Sequence, residues 1–211
     1  MANMNLVTGY AGSAHVTSGD TGSLNAAIFG TGSYVLNRGN KFAAQVITNN
    51  SIRISDGDIM LQGRHVRINE GGHVDLTIEN GTQSKYRNDL IVCRYTRNAS
   101  SGVEECNLVV IKGTPVDSSP EDPAYTAGDL ITENAATVDM PLYRVPIIGL
   151  NVQTLVPLFQ IATIQGVLPT SGGTMTGAIN TSGIILKQGV DYGDSLPSAV
   201  TPGKLFFKRV T

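Results

Sequence analysis

The chain has no tryptophan, and only 15% of its 211 residues are charged. The formal net charge of -2 excludes a global attraction to nucleic acid or to acidic membranes. No apolar run reaches the ~18 residues that a membrane-spanning helix needs. The opening stretch, MANMNLVTGYAG, lacks the basic cluster and apolar run of a signal peptide, so synthesis and folding in a cytoplasm are expected. The two cysteines lie in apolar segments, LIVCRY (Cys93) and ECNLVVI (Cys106), without a neighbouring histidine or basic cluster to activate them. If those segments form a hairpin around TRNASSGVE, the thiols come close. A cross-strand disulfide is then an option, and free thiols are the expectation for a cytoplasmically folded chain.

Recognisable catalytic patterns are also missing. Of the three histidines, His65 and His73 fall about 13 Å apart in the hairpin derived below, too far to share a metal, and read as surface strand residues. His15 has Ser18 and Asp20 nearby, but triads are assembled in space and not within five residues, so a self-bonded turn is the reading there. Asp56 and Asp58 in SDGDIM lack the remaining ligands of a calcium loop and read as a hairpin turn. GTGSYV and SGGTMTG carry no phosphate-loop lysine. Glu104 and Glu105 are adjacent, so they point to opposite faces of a strand. No cofactor, metal or catalytic residue is expected.

What is present is turn-rich β sequence: 24 glycines and nine prolines among 41% hydrophobic residues. Residues 1–40 read as an N-terminal arm of small polar residues with single apolar anchors (Leu24, Ile28, Phe29, Tyr34, Leu36). Within it, SLNAAIF is expected to make one helical turn capped by Ser23. Residues 41–152 read as a β-rich domain. SIRIS, DIMLQG, RHVRIN, HVDLTIEN, NDLIVCRYTR and CNLVVIKG are its strands, and the alternation in HVRI and VDLTI marks half-buried antiparallel pairs. Pairing Ile68 with Val74 and Val66 with Leu76 leaves a three-residue loop, Glu70-Gly71-Gly72, and sets Arg67 opposite Asp75. DLIVCRY, nearly continuously apolar, belongs in the middle of a sheet. Residues 114–141, with four prolines, read as a long loop or crossover. LYRVPIIGLNV resumes a strand in which Pro146 requires an edge or a bulge. Residues 153–167 are a connector, either a short helix or a lead-out strand.

Residues 168–211 form a Gly/Pro/Ser-rich tail. Its pieces TMTGAI, GIILKQG and GKLFFKRV are too short to bury themselves, yet a flexible linker would not carry IILK and LFFK. Three copies wound about an axis would cover them, glycine permitting close approach and Thr and Ile favouring extended backbone. The candidate trimer contacts are Leu168, Gly172, Gly173, Met175, Gly177 and Ile179, followed by Ile184, Ile185, Leu205, Phe206 and Phe207. The expected fold is therefore mainly β: an antiparallel, β-sandwich-like N-terminal domain followed by a short, extended, intertwined trimeric β stalk.

LPTSGGTMTGAI resembles the L-x-x-x-GG-x-M-x-G-x-I element of bacteriophage tail fibres and receptor-binding proteins. VDYGDSLPSAVTPGKLFFKRV is similar to the YG…LP…PG-x-L-F-F segment of such chains. The stretch from MNLVTGYAG to NLVVIKGTP resembles an N-terminal domain of phage and prophage baseplate or tail-fibre proteins. The resemblance implies a homotrimeric tail or baseplate component of the virion, made in the host cytoplasm, that attaches to other tail or baseplate proteins. With no receptor-binding head evident after LFFKRVT, a short fibre, an adaptor that holds another protein and a truncated chain all stay open. Two other readings stand beside it. One is a carbohydrate-binding module that recognises host cell-wall polysaccharide through Tyr86, Tyr125 and Tyr143. The other is a wall hydrolase, for which no acid–base pair is found.

Overall fold

The structure, a computed structural model, describes residues 16–162 and the backbone of 190–193 and 205–208. The chain divides into two units, Met1–Gln165 and Gly166–Thr211. In the first unit, helix α1 (Ser18–Phe29) precedes strands β1 (Ser33–Leu36), β2 (Ala44–Thr48), β3 (Ser51–Leu61), β4 (Arg64–Thr77), β5 (Tyr86–Arg97) and β6 (Glu104–Ile111). There follow β7 (Thr137–Ile148), β8 (Asn151–Val152), β9 (Val156–Pro157) and β10 (Ile161–Ala162). The second unit carries β11 (Val190–Gly193) and β12 (Leu205–Lys208).

Thr17 starts the helix. Its Oγ1 accepts from Asp20 N at 3.1 Å, and Asp20 Oδ2 accepts from Thr17 N at 2.9 Å. This reciprocal box satisfies two amides that the first turn cannot. The cap thus lies six residues before the expected Ser23, because an acidic side chain stands three places after Thr17. Gly30, at φ +88°, ends it. Only Gly22 and Ala26 are buried, against the turn between β3 and β4, where Asn25 Nδ2 donates to Gly63 O at 2.9 Å. Gly63 sits at φ +83°, and a Cβ there would strike the carbonyl of Gly22. The expected arm is also more than an arm. β1 is a sheet strand, and its fully buried residue is Val35, whereas Leu24 and Ile28 are exposed.

β3 organises the first sheet. β4 pairs along one edge of it, while β2 and then β1 share the other, and β10 adds parallel to β1. This corrects the expected hairpin between residues 68 and 74. β4 is one long strand, with Ile68 opposite Gly57 and Val74 opposite Ile54. The Asn69–Gly72 stretch bulges outward opposite the single residue Asp56. The glycine signal was read correctly as a left-handed position, since Gly71 has φ +73°, but it serves a bulge and not a turn. The partner of Asp75 is consequently Arg53, at 2.7 and 2.8 Å, and Arg67 lies opposite Asp58. Asp56 and Asp58 stand inside β3, not in a turn.

In the second sheet β5 lies between β6 and β7, as its apolar sequence requires, and Leu90–Cys93 are buried. β8 and β9 line the outer edge of β7. Both prolines of β7 sit where a missing amide is tolerated. Pro141 borders a bulge at Leu142, and Pro146 falls between the parts of the edge taken by β9 and β8. The 112–136 crossover from β6 to β7 is tied down by a Tyr86–Val116 bridge and by buried Leu130. The connector is extended, with β9 and β10 the only regular elements among its described residues.

One core joins the sheets: Val35, Ile52, Ile54, Ile59 and Leu61 from the first, Ile91, Met140, Leu142, Val145 and Ile147 from the second. Phe42, 1% exposed, lies between them. In the second unit, β12 pairs in parallel with β11 of its own chain, Val190 opposite Leu205 and Tyr192 opposite Phe207.

Gly57 lets Phe42 enter the core: a Cβ there would come within 2.7 Å of the Phe42 amide and 2.8 Å of its ring. Gly57→Ala is expected to cost about 2–4 kcal/mol. Urea unfolding followed by tyrosine fluorescence measures this, and an unchanged midpoint would contradict the packing described.

Candidate functional site

The buried charges of the first unit are consumed by structure. Asp89, fully buried, receives the fork of Arg87 at 2.8 and 3.0 Å and the Gly113 amide at 2.8 Å. Arg87 also donates to the carbonyls of Glu79 and Asn80. Asp139 accepts two bonds from Arg94, at 2.7 and 2.8 Å, and one from Thr126 N at 2.9 Å. Asp58 is held by Arg38 at 2.9 Å and lies 2.6 Å from His65 Nε2. Asp56 accepts from Asn40. Burial pushes the carboxyls of Asp139 and Asp58 upward, but the hydrogen bonds from their cationic partners outweigh it and leave both below the ordinary carboxylate range. Such groups are anchors, not proton carriers poised near neutrality.

His65 and His73 lie exposed on β4, as expected. His15 lies outside the described residues, while Asp20, its suggested companion, is engaged in the helix cap. Among the described residues no cluster of three or more His, Cys, Asp or Glu could hold a metal. Glu104 turns inward to Tyr95 Oη at 2.6 Å and to Arg64, away from Glu105. Burial and that carboxylate together push the Tyr95 phenol up to about 12.

A cleft of about 510 Å3 opens between the sheets. Tyr34, Gln62, Tyr125, Met140, Pro141 and Phe159 contribute to its walls. Gln62 is fixed at both ends, donating to Gly128 O and accepting from Leu130 N. Tyr125 is 49% exposed and stands at the rim. The other two tyrosines expected to face sugars do not join it. Tyr143 is a core residue: its hydroxyl donates to Phe42 O at 3.0 Å, and its ring meets Phe159 edge-on at 5.4 Å. Tyr86 is exposed at the start of β5, outside the cleft. From the sequence Tyr34 was read only as an apolar anchor of the arm and Phe159 was not singled out, because they reach the cleft from the expected arm and connector.

Of the expected trimer contacts, Leu205, Phe206 and Phe207 lie in β12. Leu168, Gly172, Gly173, Met175, Gly177, Ile179, Ile184 and Ile185 lie outside the described residues. Both cysteines are free. Cys93 on β5 and Cys106 on β6 are diagonal neighbours, and their side chains share a hydrogen bond that pushes Cys93 up and Cys106 down.

No protein-family model and no curated protein matches this chain.

Because the native carboxyls of Asp139, Asp58 and Asp122 lie below their ordinary 3.8, their stabilisation is complete above that value and disappears as pH falls through the lowered one. The urea midpoint is expected to stay level from about pH 7 to 5 and to drop below about pH 4. Asp139→Asn should cost about 2 kcal/mol at neutral pH and flatten that drop. A maleimide should modify Cys106 first in the native protein, with Cys93 reacting only after unfolding. Peptide mass mapping reads the order.

Proposed function

We propose that this chain is a structural attachment component of a bacteriophage tail or baseplate, or of a phage-derived particle, and that it works as a homotrimer. The observation that carries the reading is the tail sequence LPTSGGTMTGAI, with its resemblance to phage fibre elements. It stands in a unit separate from a β unit that has its own core. In this reading the first unit is β-sandwich-like and docks on other tail or baseplate proteins. The tail is an intertwined β stalk whose apolar pieces are completed by sister copies. The role is geometric and non-catalytic, carried out in the virion after synthesis in the host cytoplasm. Joining three copies would also raise the avidity of weak contacts by effective concentration.

Light scattering on the full chain is the test: a trimer is expected, and Ile184→Asp combined with Ile185→Asp should shift it toward monomer. A monodisperse wild-type monomer would sink the reading.

One observation favours a second reading, recognition of host cell-wall polysaccharide. Tyr125 is half exposed beside a cleft that also holds Tyr34 and Phe159, and aromatic faces of this kind stack on sugar rings. Titration with purified wall polysaccharide should then show binding that Tyr125→Ala weakens at least several-fold. Equal affinity in the two proteins would remove the cleft from consideration.

A further inference from the structure

Six of the exposed apolar side chains among the described residues of the first unit share one edge. Ile148, Leu150, Val156 and Leu158 are between 38 and 55% exposed, and Val46 and Ile47 of β2 fall within the same range. The two groups adjoin. Asn49, just past β2, donates to Asn151 Oδ1 at 3.0 Å and accepts from Val152 N at 3.2 Å. β8 and β9 lie along a single edge of β7, and Leu158 N donates to Leu142 O at 2.9 Å. From Leu142 to Ile148 that edge is about 20 Å long.

Along this edge Arg144, opposite Val156, carries a charge, and Asp122 neutralises it at 2.6 and 2.5 Å; the sequence around it is otherwise poor in charge. No Asp, Glu, Lys, Arg or His occurs from Val145 to Leu186, nor from Phe42 to Ile52, although 15% of the chain is charged. The strands β4 and β6 are different: β4 exposes His65, Arg67 and Asp75, and β6 exposes Glu105. Charges of that kind keep an open strand from pairing with a neighbour, and β2 has none. Depletion of charge around apolar side chains is the compositional mark of an interface centre.

We propose that the apolar edge formed by Val46, Ile47, Ile148, Leu150, Val156 and Leu158 is an interface covered by a second copy of this chain. The inference rests on the trimeric reading above and adds to it that the first units touch one another, not the tails alone. A second copy is the occupant that fits. The uncharged stretch runs on from this edge through Ala162 to Leu186, into the tail read as intersubunit. Copies joined there hold identical apolar edges at high local concentration. Two such edges meet without stranding an unpaired charge, since Arg144 is already neutralised by Asp122, whereas a partner with charges of its own would bury unpaired groups.

The test places a benzophenone amino acid at Leu158 and, in a second protein, at Leu150, with Val103 as control. Val103 is 55% exposed in the loop before β6. Mixed light and heavy isotope copies of the full chain are irradiated, and the oligomeric mass is measured by light scattering. The proposal expects trimers in which Leu158 or Leu150 gives adducts between light and heavy chains, several-fold above the Val103 control. Trimers with no such excess, or adducts only to the same chain's tail or to added baseplate protein, overturn the interface and leave the trimer standing. A monomeric wild type overturns both.

Discussion

The first unit depends on keeping two carboxylates in the middle of its central strand. Asp56 and Asp58 are each 3% exposed, and a buried carboxylate without partners would cost several kcal/mol. Their partners come from outside β3: Asn40 for Asp56, and Arg38 with His65 for Asp58. Satisfying them draws the loop between β1 and β2 over β3 and seats β4 along its other edge. Gly57 between them leaves room for Phe42, whose ring enters the core and whose carbonyl receives the hydroxyl of Tyr143 from the second sheet. One three-residue stretch thereby couples strand order in one sheet to the joining of both.

The same economy governs the other charges. Arg87 with Asp89, and Arg94 with Asp139, fasten β5 to the crossover and to β7, in forks whose acceptors are nearly all used. Little buried charge remains for chemistry among the described residues. Two surfaces of the first unit stand out instead: an aromatic-walled cleft at Tyr125 and an apolar edge along β2, β8 and β9. The attachment role proposed for the chain would draw on surfaces of this kind.

Much of the strand content was legible because alternation is a local property. Val66, Ile68, Val74 and Leu76 all face inward as expected, yet the hairpin inferred from them is absent. The reason is parity: residues 68 and 74 are an even number apart, so a straight strand and a hairpin place the same side chains on the same face. Deciding between them needed the partner strand, and β3 is long enough to pair with both halves. The start of α1 was legible in principle, since Thr17 and Asp20 stand three apart, but the window beginning at Ser23 passed over them. Tyr143 looked exposed in LYRVP because sequence does not reveal that Phe42 and Phe159, distant along the chain, close over it.

By itself, then, the sequence determined the β class, the buried centre at LIVCRY, the edge position of Pro146 and the separate character of the glycine-rich tail. Each follows from the geometry of neighbouring residues, whereas Pro141, expected in the 114–141 loop, lies inside β7. Tertiary structure alone decided that β4 is continuous, that Asp75 pairs with Arg53, that the arm and connector supply β1 and β10, and which tyrosine faces a cleft. Those outcomes depend on contacts between segments tens of residues apart, where local periodicity carries no information about the partner.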